Sequence, residues 1–267
     1  MQAMLQNKQL SKPSEIVLSN KCPLCQDTGW VPYTKEGREY YGDCPNGCRT
    51  NKIKSNKLEF ADIPLEFKRL TVESFNADIY SSHDSREKAA IVKTICRNYV
   101  TEFLNIMEMG KGLYMYSREK GSGKTRMAIS IANDIINTYM ISTKFTSAIS
   151  ILDEIKSTWN SKDNSFTEKQ LINDIKRVPL LVIDDIGIEK TSPWVDEKFY
   201  SIIDARLIAK KITIFTSNKK IEELSLDDRV KSRIGKMALP LSFPNESIRG
   251  NLARKENEEL LNKLLIG

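Results

Sequence analysis

Lys120-Gly121-Ser122-Gly123-Lys124-Thr125, near the middle of the chain, has the residue types and spacing of a loop that cradles phosphate. Glycines let backbone amides turn inward on the anion, and a following helix adds the positive end of its dipole. The lysine reaches the terminal phosphates, and the hydroxyl completes a magnesium shell. The full pattern has another glycine five residues before Gly123, where this chain carries Arg118. Arg126 follows the Lys-Thr pair and joins Gly121, Ser122, Gly123, Lys124 and Thr125 as candidate nucleotide ligands. Further on, Leu180-Leu-Val-Ile-Asp184-Asp185 sets two carboxylates behind four apolar residues. Strand ends of a parallel sheet face the ligand, so Asp184 is expected to share the magnesium with Thr125. Asp185 is then the carboxylate that polarises an attacking water, shorter by one methylene than the glutamate often found there. That shortening suggests a slow or conditional hydrolase. Asn218 ends the run Thr216-Ser217-Asn218 and is either the orienter of that water or a turn former. Arg229 and Arg233, four apart on one helix face, suit a solvated surface or a finger reaching into a neighbouring subunit. Arg249, near the start of the last helix, is a candidate nucleotide sensor or a surface residue.

Four of the five cysteines form a second constellation: Cys22-Pro-Leu-Cys25, eighteen residues, then Cys44-Pro-Asn-Gly-Cys48. Two tight thiolate knuckles make a closed, sulfur-rich tetrahedron, the donor set of a structural zinc. The stretch between them, with Trp30, Tyr33, Tyr40 and Tyr41, reads as a short hairpin with aromatic faces, so a zinc ribbon is expected. Cys96 falls on the apolar side of a helix and reads as core. Arg49, Lys52, Lys54 and Lys57 follow without an acid between them, a solvated helix face or a nucleic-acid contact.

The elements that must position these residues follow from periodicity. Ile63-Pro64 marks a break, placing an N-terminal zinc-binding region at 1–60 and an α/β domain at 61–267. Ile91, Ile95, Tyr99, Phe103 and Met107 predict one helix over 84–108, closed by Gly110. Strands are expected at 113–116, 144–146, 180–183, 212–216 and 237–241. Helices are expected at 124–140, 147–158, 166–176, 194–209, 226–234 and 246–264. That alternation predicts a largely parallel sheet covered on both faces. Forty-one Lys+Arg against 35 Asp+Glu gives +6, a balance that permits a polyanionic partner without demanding one. With 40% apolar residues the chain can build a core, and its apolar runs are too short for a transmembrane helix. No secretory signal is recognisable at the N-terminus, so a cytoplasmic protein is expected.

Together, Gly-Ser-Gly-Lys-Thr, Leu-Val-Ile-Asp-Asp-Ile-Gly, Phe-Thr-Ser-Asn, Arg-Val-Lys-Ser-Arg and Ser-Ile-Arg resemble the DnaC/DnaI-type helicase loaders. These are AAA+ ATPases related to DnaA and to the IstB transposition ATPases. The resemblance covers roughly residues 60–255, and the cysteine knuckles extend it to the DnaI-like members and their phage counterparts. It implies ATP and magnesium as cofactors beside the zinc. Lys124 and Thr125 match the Walker A pair, Asp184 and Asp185 the Walker B pair, and Asn218 sensor 1. Arg229 and Arg233 match the box VII arginines, Arg233 being the finger, and Arg249 matches sensor 2. The implied partners are a hexameric DnaB-type helicase, single-stranded DNA and further copies of the chain, in a bacterial cell and with phage origin open. Met4, Leu5, Leu10, Ile16, Val17 and Leu18 would dock on the helicase, while the ATPase domain would hold the strand. Two other readings stand beside this one. One is an IstB-like regulator of a transposase, against which the zinc knuckle argues. The other is an adaptor that nucleotide only stabilises.

Overall fold

The computed structural model describes residues 22–158, 168–190 and 192–266. The expected docking segment within residues 1–20 lies outside them. Two compact units divide at Lys52/Ile53.

In the first unit, β1 (Trp30–Lys35) and β2 (Arg38–Asp43) form an antiparallel hairpin, and Cys48 opens helix α1 (Cys48–Phe60). The Sγ atoms of Cys22, Cys25, Cys44 and Cys48 lie within 4.8 Å of one another. Metal–sulfur bonds of about 2.3 Å in a tetrahedron require sulfur–sulfur edges of about 3.8 Å. Cys22 and Cys44 are separated by 3.8 Å. Backbone amides of Cys25 and Leu24 hold the Cys22 thiol down to about 6, while burial and the neighbouring sulfurs push the Cys44 thiol up. Such a cluster cannot ionise fully without a cation among the sulfurs, which is the chemistry of a metal-binding set. The small fold therefore has the form of the expected ribbon.

In the second unit, residues 83–109 form two helices, α2 (His83–Thr101) and α3 (Phe103–Met109), where the sequence predicts one. At the break, Tyr139 Oη donates to the carbonyls of Val100 and Thr101 at 2.8 and 2.9 Å. The buried stripe also differs from the predicted one. It runs through Ala89, Val92, Cys96, Tyr99 and Phe103, while Ile91 is 53% exposed. A strict four-residue step drifts by about 40° per step around an α-helix, so only a mixed three-and-four pattern stays on one face. Gly110 ends α3 in the left-handed conformation, as expected.

Five parallel strands follow: β3 (Gly112–Tyr116), β4 (Thr143–Ser147), β5 (Leu180–Asp184), β6 (Ile212–Ser217) and β7 (Ala238–Ser242). Their spatial order is β4-β5-β6-β3-β7. Between them run α4 (Lys124–Tyr139), α5 (Ala148–Ser157), α6 (Glu168–Arg177), α7 (Pro193–Ile208) and α8 (Asp228–Met237), before α9 (Arg249–Ile266). Side chains alternate across the sheet. Leu113, Met115, Leu180, Val182, Ile212 and Ile214 join the core beneath α2 and α4. Tyr114, Leu181, Ile183 and Phe215 join the core beneath α5, α7 and α8. Both faces are buried, which is why these strands read as continuous apolar runs.

Helix starts follow local chemistry: Ser82, Ser147, Ser192 and Asp227 each accept a first-turn amide with their side chain. The last helix starts at Arg249 rather than 246, and just ahead of it the Glu246 carboxylate accepts the amides of Ser81 and Ser82. At the opposite end of the sheet, fully buried Arg206 donates to Ile175 O, Val178 O, Ile212 O and Thr213 Oγ1. These bonds clamp the end of α6 and the entries to β5 and β6. Among the described residues, no helix is long and apolar enough to cross a membrane.

Candidate functional site

The strand order decides what the site can be. β6 stands between β5, which carries the acidic pair, and β3, which feeds the glycine loop. A side chain at the end of β6 therefore sits between the two motifs. Thr216 occupies that place: its hydroxyl donates to Asp184 Oδ1 at 2.6 Å and accepts the Asp185 amide at 2.9 Å. Thr125, on the first turn of α4, donates to the same Asp184 oxygen at 2.8 Å. The sequence-predicted pair Thr125 and Asp184 is thus in direct contact, with Thr216 as a third member.

The loop itself is shaped by Gly121 and Gly123, at φ +75° and +89°. A Cβ on Gly121 would lie 2.9 Å from Ser247 Oγ, and one on Gly123 would lie 3.0 Å from Tyr80 Oη. Arg118, where the full pattern has glycine, is not among the residues with positive φ. An L-residue fits there, and its guanidinium pairs with Glu223 at 3.0 Å. Tyr80 donates to Ser122 O, and the Ile248 amide donates to Gly121 O, so the loop is braced from both flanks.

Lys124 is buried, its Nζ 3.0 Å from Glu119 O and 3.2 Å from Ser122 Oγ. Burial lowers its pKa, opposed by the charges of Asp185 and Asp184. Asp184 is shifted the other way: burial raises it, against the two threonine hydrogen bonds. Both groups are therefore held where ionisation is costly unless an opposite charge approaches. Asp185 adopts φ +54°, a conformation that the short Asp side chain tolerates better than most. This fits aspartate rather than glutamate at this position.

These groups line one cleft of about 610 Å³ with Asn218, Arg126 and Arg249, a volume suited to a nucleotide. Glu66, Phe67, Ile188 and Leu252 supply further walls. Arg126 is also tied to Ser74 O at 2.9 Å. Arg229 and Arg233 stand elsewhere, on α8. Arg233 donates to Asp204 at 2.5 Å and to Tyr200 Oη at 2.6 Å, and Arg229 pairs with Asp227 at 3.0 Å.

Sequence reasoning missed three contributors. Thr216, two residues before Asn218, owes its place beside Asp184 to the strand order, which leaves no signal in the sequence pattern. Ser217 donates to Ile186 O at 2.6 Å, pinning the loop that follows Asp185. Buried Glu189 accepts the Gly187 amide at 2.8 Å inside the same loop.

Thr216→Val keeps the shape while removing one donor from Asp184 and one acceptor from the Asp185 amide. Magnesium-dependent ATP affinity should fall about tenfold, or ~1.4 kcal/mol, within the range expected for the two hydrogen bonds removed. Isothermal titration of the variant checks this, and unchanged affinity contradicts it.

The family model described as IstB-like ATP binding protein matches residues 46–230, more than half of the chain. The replicative helicase loader DnaC of Escherichia coli (strain K12) is 31% identical over 165 residues, 60% of this chain and 64% of that protein. The replicative helicase loader DnaI of Bacillus subtilis (strain 168) is 35% identical over 131 residues, 47% of this chain and 40% of that protein. A crystal structure of the DnaC helicase loader superposes with a TM-score of 0.52 at 26% identity, covering 65% of this chain and 98% of that one. The matched stretches thus span less than two thirds of either curated relative's own length. Matching family, relatives and sheet agree with the resemblance expected from the motifs. The chain belongs to the IstB-like ATP-binding protein family and carries an AAA+ fold similar to that of the DnaC and DnaI proteins.

Proposed function

We propose that this protein is an ATP-dependent loader that places a hexameric DnaB-type helicase on single-stranded DNA. One observation carries the reading: Lys124, Thr125, Asp184, Asp185, Asn218 and Arg249 line a single cleft at the strand ends, with Thr216 bonded to Asp184 behind it. The relatives named as helicase loaders supply the partner class; neither name points to a transposase regulator.

In this reading the amides of 121–125 and Lys124 hold the β- and γ-phosphates of ATP, replacing the loop carbonyls that Lys124 touches. Thr125 and Asp184 would hold magnesium, which would neutralise phosphate charge. Asp185 accepts a proton from the attacking water, and Asn218 orients that water toward the γ-phosphate. Arg249 reads the phosphates from the same chain. Arg233 lies outside its own cleft, as a residue acting in a neighbouring subunit would, with Arg229 beside it on α8. ATP then favours subunits assembled on the helicase and DNA, and hydrolysis resets them. The N-terminal region, including the apolar residues within 1–20, contacts the helicase.

Zinc bound by Cys22, Cys25, Cys44 and Cys48 serves a structural role, because four protein ligands leave no open position for chemistry. One zinc per chain is expected by elemental analysis. Cys25→Ser should release it and unfold 22–48 while ATP binding persists, since the second unit has its own core. Protein purified without chelator and found free of zinc contradicts the assignment.

Helicase deposition on closed circular single-stranded DNA tests the function. Lys124→Ala should lose ATP binding, because the phosphates lose a directed charge in a poorly solvated pocket. Arg233→Ala should bind ATP and fail to hydrolyse it. Each alone should deposit little helicase, and mixing them should restore part of the deposition, each supplying the half-site the other lacks. Full deposition by Lys124→Ala contradicts ATP dependence. No rescue from two folded, associating variants contradicts a finger acting in trans.

A further inference from the structure

The β1–β2 hairpin is a sheet of two strands with its side chains exposed along nearly its whole length. An isolated hairpin is marginal in water, and this one is anchored by the cysteine cluster at its base rather than by an apolar core. Its large aromatic residues are therefore not spent on folding: Tyr33 is 49% exposed and Tyr40 42%.

The register sorts these side chains by face. Directly paired residues lie on the same side, so Trp30/Asp43, Pro32/Tyr41 and Thr34/Glu39 share one face. Val31/Gly42, Tyr33/Tyr40 and Lys35/Arg38 share the other. Charge separates with them. The first face carries both strand carboxylates, and Arg49 closes over it, paired with Asp43 at 2.6 Å and stacked 3.9 Å from the Trp30 ring centre. The second face carries two cations and no strand carboxylate. Tyr33 and Tyr40 stack there with centroids 5.7 Å apart, and Tyr33 also overlies Gly42. Lys35 and Arg38 continue the face toward the tip, exposed and without an ion pair among the described residues. Glu36 stands in the turn, on neither face.

Paired aromatic rings beside two unpaired cations, with the carboxylates confined to the opposite face, suit a ligand having flat apolar faces and regularly spaced negative charge. We infer that the Tyr33/Tyr40/Lys35/Arg38 face of the ribbon is a docking surface for single-stranded DNA. Bases stack on the tyrosines, and two phosphates meet Lys35 and Arg38. Stacking of this kind tolerates any base, so the contact is indifferent to sequence. The inference rests on the proposed loader function and adds to it a second hold on the strand, outside the ATPase domain.

Full-length protein with ATP, titrated against a fluorescently labelled oligothymidylate at several salt concentrations, tests the inference. Tyr33→Ala/Tyr40→Ala should weaken binding about tenfold, and Tyr33→Phe/Tyr40→Phe should preserve it, because the ring face rather than the hydroxyl stacks. Lys35→Gln/Arg38→Gln should flatten the dependence of log affinity on log salt by about 1.4, the share of two single-strand phosphates. Retained zinc and ATP binding show that each variant is folded. Wild-type affinity and salt slope in both the alanine and the glutamine variants overturn the inference while leaving the loader function intact. Loss of helicase binding with strand binding unchanged overturns it in favour of a protein-docking face. If wild-type protein itself ignores the oligonucleotide, the strand-holding part of the proposed function fails together with this inference.

Discussion

One carboxylate oxygen ties the ATPase unit together. Asp184 Oδ1 accepts hydrogen bonds from Thr125 at the start of α4 and from Thr216 at the end of β6, while its own backbone ends β5. Three elements that leave the sheet at different points are thereby fixed to one atom. The strand order makes this possible, because β6 lies between the acidic strand and the strand that feeds the glycine loop. With the two motif strands adjacent, Thr216 would have no place between them.

That fixed geometry carries an electrostatic cost with a functional use. Burial disfavours the charged forms of both Lys124 and Asp184, so the site is poorly satisfied by its own residues. A triphosphate with a divalent cation offers each group the opposite charge it lacks. The cleft is thus biased toward one class of ligand by desolvation as much as by shape. The cysteine cluster follows related logic at smaller scale, since burial and the neighbouring sulfurs raise the Cys44 thiol and a cation among the four would relieve it.

Much of this was legible in the sequence because the relevant chemistry is local. Gly121-Ser-Gly-Lys-Thr125 and the two cysteine knuckles need particular residues at fixed short spacing, and the four apolar residues before Asp184 mark a strand buried on both faces. What escaped depended on contacts distant in the chain. At the break between α2 and α3 Tyr139 reaches Val100 and Thr101, and just ahead of α9 Glu246 reaches back to Ser81 and Ser82. Thr216 escaped because its importance comes from strand order, which periodicity does not encode. The finger assignment for Arg233 is carried by resemblance, for its contacts within one chain are to Asp204 and Tyr200.

The oxygen shared by Thr125 and Thr216 is proposed to belong to a magnesium–nucleotide site. ATP affinity measured with magnesium and with excess chelator, in wild-type protein and in Asp184→Asn, tests it most directly. Magnesium should strengthen ATP binding to the wild type, and Asp184→Asn should lose most of this gain while its chelator-state affinity stays close to wild type. Equal gains from magnesium in both proteins would contradict it.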